Sequence, residues 1–432
     1  TLNLGNYNLI DEAFHISGPL TDKLQASASI GYVKHDGYIH DVVSGVPPVG
    51  EANRFNFRGQ LKYEFNNDIT NLVRVDYLYT HEHYGIYSTL LLPTTDPRYI
   101  NGSGSYIGYP SPLANAQIGN LHYYGSGAPS LNSELDYGIN DELNWKINDN
   151  LSIKNLVAYR TDQNRGLSAG NGTEYLTGET STLYNQHQFS EELNLIHNYG
   201  PLKGVAGVFL WTEYENQIGD SIGILAPPAK TSGASESYQD TRFPTQSYAV
   251  FLNETYQVTP DVGIIAGARF TQEHKVLDTF NTSYNWTGGL PAGWYGANPA
   301  NPGARGATSP STIVKNKDGS TNQLASVVFP FVLGYGTNIP DGVQNVTAFT
   351  PKLGVQWQAT PNAFLYASAT RGFKSGGFNF TARNAFGDSF LPEWITTYEV
   401  GAKTDWLDKK LRINVAVFRN DWTNLQVNQS II

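Results

Sequence analysis

From Arg54 to Glu64 the chain alternates without a break. Phe55, Phe57, Gly59, Leu61 and Tyr63 fall on one parity, and Arg54, Asn56, Arg58, Gln60, Lys62 and Glu64 on the other. A strand sends successive side chains to opposite faces, so this segment has an aromatic face and a charged face. Its length, about ten residues, suits a tilted strand that crosses a bilayer. The pattern recurs. Leu24, Ala26, Ala28, Ile30 and Tyr32 oppose Gln25, Ser27, Ser29 and Gly31. Val73, Val75, Tyr77 and Tyr79 oppose Arg74, Asp76 and Thr80. Leu151, Ile153, Val157 and Tyr159 oppose Ser152, Lys154, Arg160 and Asp162. Val262, Ile264, Ala266, Ala268 and Phe270 oppose Gly263, Gly267, Arg269 and Thr271. Trp394, Tyr398, Val400 and Ala402 oppose Thr397, Glu399, Gly401 and Lys403. The period-2 rule predicts about fourteen strands.

The connections alternate in length. Short ones carry turn residues: Gly18 to Asp22, Asn66 to Asp68, Asn148 to Asn150, Tyr199 to Pro201, Thr259 to Asp261, Thr360 to Asn362 and Leu407 to Lys409. Between them lie long polar segments, Gly37 to Ala52, Glu82 to Leu135, Gly166 to Asn185, Gln217 to Pro244, Lys275 to Val346 and Phe373 to Leu391. In a meander, alternate connections share an end. One end is therefore trimmed and the other is crowned with loops, which is the habit of bacterial outer-membrane barrels. The expected fold is all-β: an antiparallel up-and-down transmembrane β-barrel with short periplasmic turns and long extracellular loops. No linker or second domain interrupts it, so residues 1–432 read as a single barrel domain, incomplete at both ends.

Composition sharpens this. Of 432 residues, 27 are Tyr and 43 Gly; charged residues make up only 15%, against about a quarter in ordinary soluble domains. Mean hydropathy is −0.35, and no apolar run is long enough for a membrane helix. A barrel reconciles these values, because only half of each strand faces lipid. The net charge of −10, with no basic run, argues against nucleic acid. The absence of cysteine rules out disulfides and thiolate metal sites. The chain also lacks methionine and opens without a signal segment, and Asn428 to Ile432 reads as the middle of a loop. It is therefore expected to be an internal fragment or a processed product.

The segment Tyr366-Ala367-Ser368-Ala369-Thr370-Arg371-Gly372-Phe373-Lys374-Ser375-Gly376-Gly377-Phe378-Asn379 resembles the Y-A-S-x-x-R-G-F-K-S-G-G-F-N signature of TonB-dependent outer-membrane receptors. Ser17 to Leu24, Tyr248 to Phe251, Gly267 to Thr271, Tyr398 to Lys403 and Asn420 to Trp422 resemble neighbouring hairpins of that family. The resemblance implies a larger barrel holding an N-terminal plug, with TonB as a partner through a plug region that these residues do not include. It implies the outer membrane of a Gram-negative bacterium, with its lipid and lipopolysaccharide as surroundings. It also implies energised import of a small scarce substrate: a ferric siderophore above all, or cobalamin or a glycan. It implies no enzyme activity and no cofactor. Two other classes remain, a plugless passive porin and a soluble all-β binding protein.

In the signature, Arg371, Gly372, Phe373, Lys374, Ser375, Gly376, Gly377, Phe378 and Asn379 end a strand on the long-loop side and are expected to shape the barrel rim. Arg371 and Lys374 are placed to meet phosphate headgroups or plug carboxylates. Tyr106, Tyr109, Trp286, Trp294 and Tyr295, in the longest external segments, are the candidate substrate contacts, because aromatics give contact area at low entropy cost. Gly219-Asp220-Ser221-Ile222-Gly223 matches a nucleophile-elbow pattern but is read as loop, without the strand-to-helix setting the elbow needs. His81-Glu82-His83 puts two imidazoles on one strand face with no third ligand, so a polar rim cluster is the plainer reading and no metal site is assigned. Gly102-Ser103-Gly104 reads as flexible loop. Arg54, Arg58, Lys62, Arg74, Asp76, Lys154, Arg160, Arg269, Glu399 and Lys403 are expected to line the polar face, where they either solvate and pair or set selectivity in a pore.

Overall fold

The computed structural model describes residues 1–41, 48–84, 123–124, 130–169, 178–224, 234–286, 337–338, 342–378 and 389–427. These contain strands and turns and no helix. In chain order the strands are β1 (Leu2–Gly5), β2 (Leu9–Pro19), β3 (Leu24–His35), β4 (His40–Asp41), β5 (Ala52–Glu64), β6 (Ile69–Tyr84), β7 (Tyr123–Tyr124), β8 (Ser130–Asn148), β9 (Leu151–Ala169) and β10 (Gly178–Tyr199). They continue with β11 (Leu202–Ile224), β12 (Ala234–Gln257), β13 (Val262–Trp286), β14 (Thr337–Asn338), β15 (Gly342–Thr360), β16 (Ala363–Lys374), β17 (Gly377–Phe378), β18 (Ser389–Phe390), β19 (Glu393–Trp406) and β20 (Leu411–Thr423).

Sixteen of them form one sheet. Its order is β1-β2-β3-β5-β6-β8-β9-β10-β11-β12-β13-β15-β16-β19-β20, with β14 added to β13. Each long strand pairs antiparallel with the next long strand in the chain, so the topology is up-and-down throughout. β1 and β20 are the edges, and no pairing joins them among the described residues.

Register fixes which residues share a face. Phe57 lies opposite Ile30 and Tyr77, and Arg58 opposite Ser29 and Asp76. Tyr77 then meets Tyr137, and Tyr159 meets Ile139 and Phe189. Each apolar parity read from the sequence therefore falls on one continuous face. That face is exposed: Ile139 49%, Val208 49%, Val250 55%, Leu353 61% and Val417 66%. A soluble sandwich would bury such residues; a barrel gives them to lipid.

The apolar face carries two aromatic rows. Near the short turns stand Tyr63, Trp145, Tyr199, Tyr256, Trp357 and Trp406. Toward the loops stand Tyr32, Phe55, Tyr79, Tyr137, Tyr159, Phe189, Tyr248, Phe270, Phe349 and Tyr398. On β12 the rows are the eight-residue step from Tyr248 to Tyr256, roughly 27 Å along the strand. With the strand tilt of barrels this matches an apolar band of about 25 Å between aromatic girdles.

The short turns owe their shape to side-chain acceptors. Asn66 Oδ1 accepts from Asp68 N and Ile69 N, both at 2.8 Å. Asn148 Oδ1 accepts from Asn150 N (2.9 Å), and Thr259 Oγ1 from Val262 N (3.0 Å). These are the local bonds through which Asn and Thr close turns. Leu407, Asp408 and Lys409 take positive φ of 52°, 53° and 66°, and Gly200, at 59°, supplies the same hand before Pro201.

Two expectations change. Gly166 to Asn185 and Gln217 to Pro244, read as loops, are largely strand: β9 continues to Ala169, β11 to Ile224, and β12 starts at Ala234. Beyond the outer aromatic row no lipid selects apolar residues, so the alternation fades while backbone pairing continues. Accordingly the elbow-like Gly219-Asp220-Ser221-Ile222-Gly223 lies within β11, not in a loop. There Ser221 Oγ sits 3.0 Å from Thr180 Oγ1 on β10. Gly102-Ser103-Gly104 lies outside the described residues.

Candidate functional site

The polar face is a wall of charges on neighbouring strands. Arg160 on β9 donates through Nη1 to Asp136 on β8 (2.6 and 2.8 Å) and through Nη2 to Asp76 on β6 (2.6 Å). Gly138 lies between Asp76 and Arg160 in register, so the guanidinium passes over a position with no side chain. Below it, Glu142 pairs with Arg74 and Lys154, each at 3.2 Å. Arg54 pairs with Glu82. Arg269 lies over the Phe209 and Phe251 rings, 5.2 and 5.4 Å from their centroids, and Lys403 over Tyr366 at 5.9 Å. Wall cations are thus held laterally by carboxylates and ring faces.

Above the outer aromatic row the same face turns acidic. Glu213 and Glu215 on β11 lie three and five residues past Leu210, which is paired with Tyr248 of that row. Burial raises both carboxyl groups, and Glu213 pushes Glu215 further. Across the ladder, burial and then Glu215 and Glu213 push the Tyr184 phenol up to about 12. Tyr184 donates to Gln186 Oε1 (3.2 Å), and Gln186 Nε2 contacts Glu213. Nearby, burial raises Asp162 and Glu134, with Asp136 adding to both. This mouth is a hydrogen-bonding, cation-tolerant surface.

The signature segment forms a latch at the same end. Gly377–Phe378 (β17) pairs with Ser389–Phe390 (β18). Lys275 Nζ on β13 donates to Gly376 O (2.9 Å), and Gln344 Nε2 on β15 to Phe390 O (2.9 Å). Gln426 Nε2 donates to Ser375 O (3.0 Å) and Leu391 O (3.1 Å), while its backbone N donates to Glu393 Oε2 (2.7 Å). A Cβ on Gly376 would collide with the Phe390 carbonyl oxygen, so only glycine fits. The motif residues Arg371 and Lys374 part company. Arg371 shares the apolar parity and lies 4.2 Å over the Trp394 ring, which Phe373 also packs against at 5.5 Å. Lys374, opposite Glu393, has the other parity and is exposed.

The remaining predicted residues are dispersed. Tyr106, Tyr109, Trp294, Tyr295 and Asn379 lie outside the described residues. Trp286 ends β13, where its backbone pairs with Ala234, and its side chain lies outside the description. His81 and His83 stand edge to face with centroids 5.7 Å apart. His83 Nδ1 engages Glu51 at 2.6 Å, and no group of three metal-holding side chains occurs among the described residues. Lys275, Gln344 and Gln426, which clamp the latch, carried no signal in the sequence, since they lie between 35 and 101 residues from their partners.

A family model described as TonB dependent receptor-like, beta-barrel, matches residues 73–432. The chain belongs to the TonB-dependent receptor-like β-barrel family. Its members are outer-membrane receptors of Gram-negative bacteria and not enzymes. The metal-pseudopaline receptor CntO of Pseudomonas aeruginosa is 41% identical over 75 residues, 17% of this chain and 10% of that protein. Among solved structures, the ferric yersiniabactin uptake receptor FyuA from Yersinia pestis aligns with a TM-score of 0.62 at 13% identity, covering 98% of this chain and 54% of that one. The ferric-catecholate import receptor Fiu of E. coli in its closed form gives 0.57 at 15% identity, covering 98% and 57%. At these identities the likeness shows the fold, and this receptor barrel spans little more than half the length of those structures.

Proposed function

We propose that this chain is the barrel portion of a TonB-dependent importer of a ferric siderophore. The carrying observation is the family match over residues 73–432; the names of the relatives, receptors for a metal-pseudopaline complex and for ferric yersiniabactin, support the cargo class. Substrate enters at the loop end, where the acidic mouth and the latch lie. Its release is driven by TonB pulling on a plug within the polar wall. Cross-strand pairs such as Asp76–Arg160–Asp136 suit this, since they keep the wall rigid while a plug moves against it. Outer-membrane lipid and lipopolysaccharide contact the apolar face.

The test is uptake of radioactive iron, supplied as a panel of ferric siderophores, by cells expressing the complete reading frame, with and without TonB. TonB-dependent accumulation of one chelate supports the reading. Uptake indifferent to TonB overturns it in favour of a passive pore.

A further inference from the structure

Above the outer aromatic row the polar wall has more carboxylates than cations among the described residues. Deeper down, Glu142 is answered by Arg74 and Lys154, and near the level of the outer row Asp76 and Asp136 are answered by Arg160. The mouth lacks that balance. Register sets Asp136, Asp162, Gln186 and Glu215 side by side on β8, β9, β10 and β11. The row beneath runs from Arg160 through Gln188 and Glu213 to Thr245 and ends on Lys275 of β13. Lys275 is already engaged, with Gly376 O at 2.9 Å and Glu273 at 3.6 Å. Glu213 is met by the Gln186 amide, and Glu215 has no hydrogen bond or ion pair among the described residues.

Three buried oxygens at this end also lack a hydrogen-bond partner among the described residues: Thr80 Oγ1, Asp162 Oδ1 and Glu273 Oε2. Thr80 is 8% exposed and lies beside Glu134 in register, on the face that carries the acids. Buried polar atoms are normally paired, so these mark places where a donor is missing. The missing donor is not a bare metal ion. No three metal-holding side chains converge among the described residues, because the acids sit on separate strands about 4.8 Å apart. An ammonium suits that spacing. Its three N–H groups each reach about 2.8 Å to an acceptor, so it bridges carboxylates of neighbouring strands and supplies the charge as well.

We propose that the mouth selects a ferric chelate carrying a protonated amine, that Glu213 and Glu215 set this preference, and that the same charges exclude an anionic chelate. The acids stand above the lipid-facing band, at the end where cargo arrives, so the chelate meets them before it meets the paired charges below. A cleft lined by one sign of charge concentrates the opposite sign and repels its own. A bound amine also relieves the repulsion of Glu213 on Glu215. The inference deepens the importer reading given above and rests on it.

The probe is one iron shell in three charge states: a linear ferric trihydroxamate ending in a free amine, the same chelate with the amine acetylated, and the same with it succinylated. Purified complete receptor reports binding by tryptophan quenching, and Trp211 lies two residues below Glu213 on the same face. Kd is expected to rise about tenfold from the amine to the acetylated form and again to the succinylated form. Glu213→Gln/Glu215→Gln is expected to bring the three within about threefold of one another. Both substitutions keep the side-chain volume and an acceptor for Gln186, and the gel shift between unheated and heated samples reports that the variant is folded. Equal Kd values for the three chelates, tighter binding of the succinylated form, or no binding of the amine form at millimolar concentration overturns the proposal. So does an amine preference that survives the double substitution, which would give the selection to other residues. TonB-dependent iron uptake from the three chelates is measured in cells alongside. Energised uptake without an amine preference overturns this inference alone. Uptake of the amine form that is indifferent to TonB overturns the importer reading and leaves the charge preference standing.

Discussion

Gly207, on β11, faces the polar side beneath an aromatic ring, and adding one methyl there should be felt. A Cβ on Gly207 would lie 2.5 Å from Phe251 Cζ, 2.8 Å from Leu193 O and 3.0 Å from Asn194 Oδ1. Ordinary contact begins near 3.4 Å, so the ring has to retreat by about an ångström, and the Leu193 carbonyl is fixed in its ladder. The retreat also lifts Phe251 from Arg269. Overpacking of this kind costs about 1–3 kcal/mol, offset in part by the roughly 0.5–1 kcal/mol by which Ala outdoes Gly within a strand. Gly207→Ala should therefore destabilise by about 1–2 kcal/mol net. The assay is urea unfolding of the complete receptor refolded in lipid vesicles, followed by tryptophan fluorescence. In a Phe251→Ala background the ring clash is gone and only the Leu193 carbonyl and Asn194 Oδ1 contacts remain. There the same substitution should cost about 1 kcal/mol less, a coupling that a double-mutant cycle reads directly. An equal cost in both backgrounds, or a neutral Gly207→Ala, would refute the idea that Phe251 is seated on a glycine-shaped recess.

Other expectations follow from the wall, the mouth and the latch. Gly376→Ala drives a Cβ against the Phe390 carbonyl, so the latch should open; faster limited proteolysis within residues 374–392 at unchanged urea midpoint would show it, and an unchanged cleavage rate would not fit. Glu213 and Glu215 have raised carboxyl pKa values through burial. Their contribution to stability is present below the unfolded value, near 4.5, and is lost as pH rises through the folded values. Glu213→Gln/Glu215→Gln should then flatten the fall in urea midpoint above pH 4.5, and an unaltered pH profile would contradict this. Tyr184, at about 12, should drop out of the phenolate absorbance titration near 12 when changed to Phe, with no loss of amplitude near 10. Arg160→Gln leaves Asp76 and Asp136 unpaired, but the guanidinium is 42% exposed, so screening holds the cost to about 1 kcal/mol or less by the same urea assay.

The barrel was legible wherever lipid selects residues. Phe55 to Tyr63 and Val73 to Tyr79 announce their faces because one parity must be apolar and the other polar. Asn66, Asn148 and Thr259 announce turns because their side chains close them. Legibility ends where that selection ends. Past Tyr159 and Tyr248 both faces meet water, and β9, β11 and β12 run on through sequence that reads as loop. The latch was half legible. The glycines of Lys374 to Phe378 imply a tight backbone path, yet nothing local shows that Lys275, 101 residues away, is what ties it. Likewise Arg371 and Lys374 look equivalent in sequence, and strand parity alone separates them, one toward Trp394 and one not.

The low identity to FyuA and Fiu, 13% and 15% across almost the whole chain, follows from how little the fold asks. A strand in the band needs apolar residues on one parity, aromatics at two depths and polar residues that pair laterally on the other. Many residues satisfy each requirement, so sequence drifts while the fold persists. Positions where the chain departs from that loose code carry the specific information. Gly376 departs because a carbonyl occupies the space of a side chain. Gly138 departs because Arg160 must cross it to reach Asp76. Asp141 departs too, on the apolar parity midway between Tyr137 and Trp145, and the Asn71 amide on the next strand bonds it, so the misfit is answered laterally within the sheet.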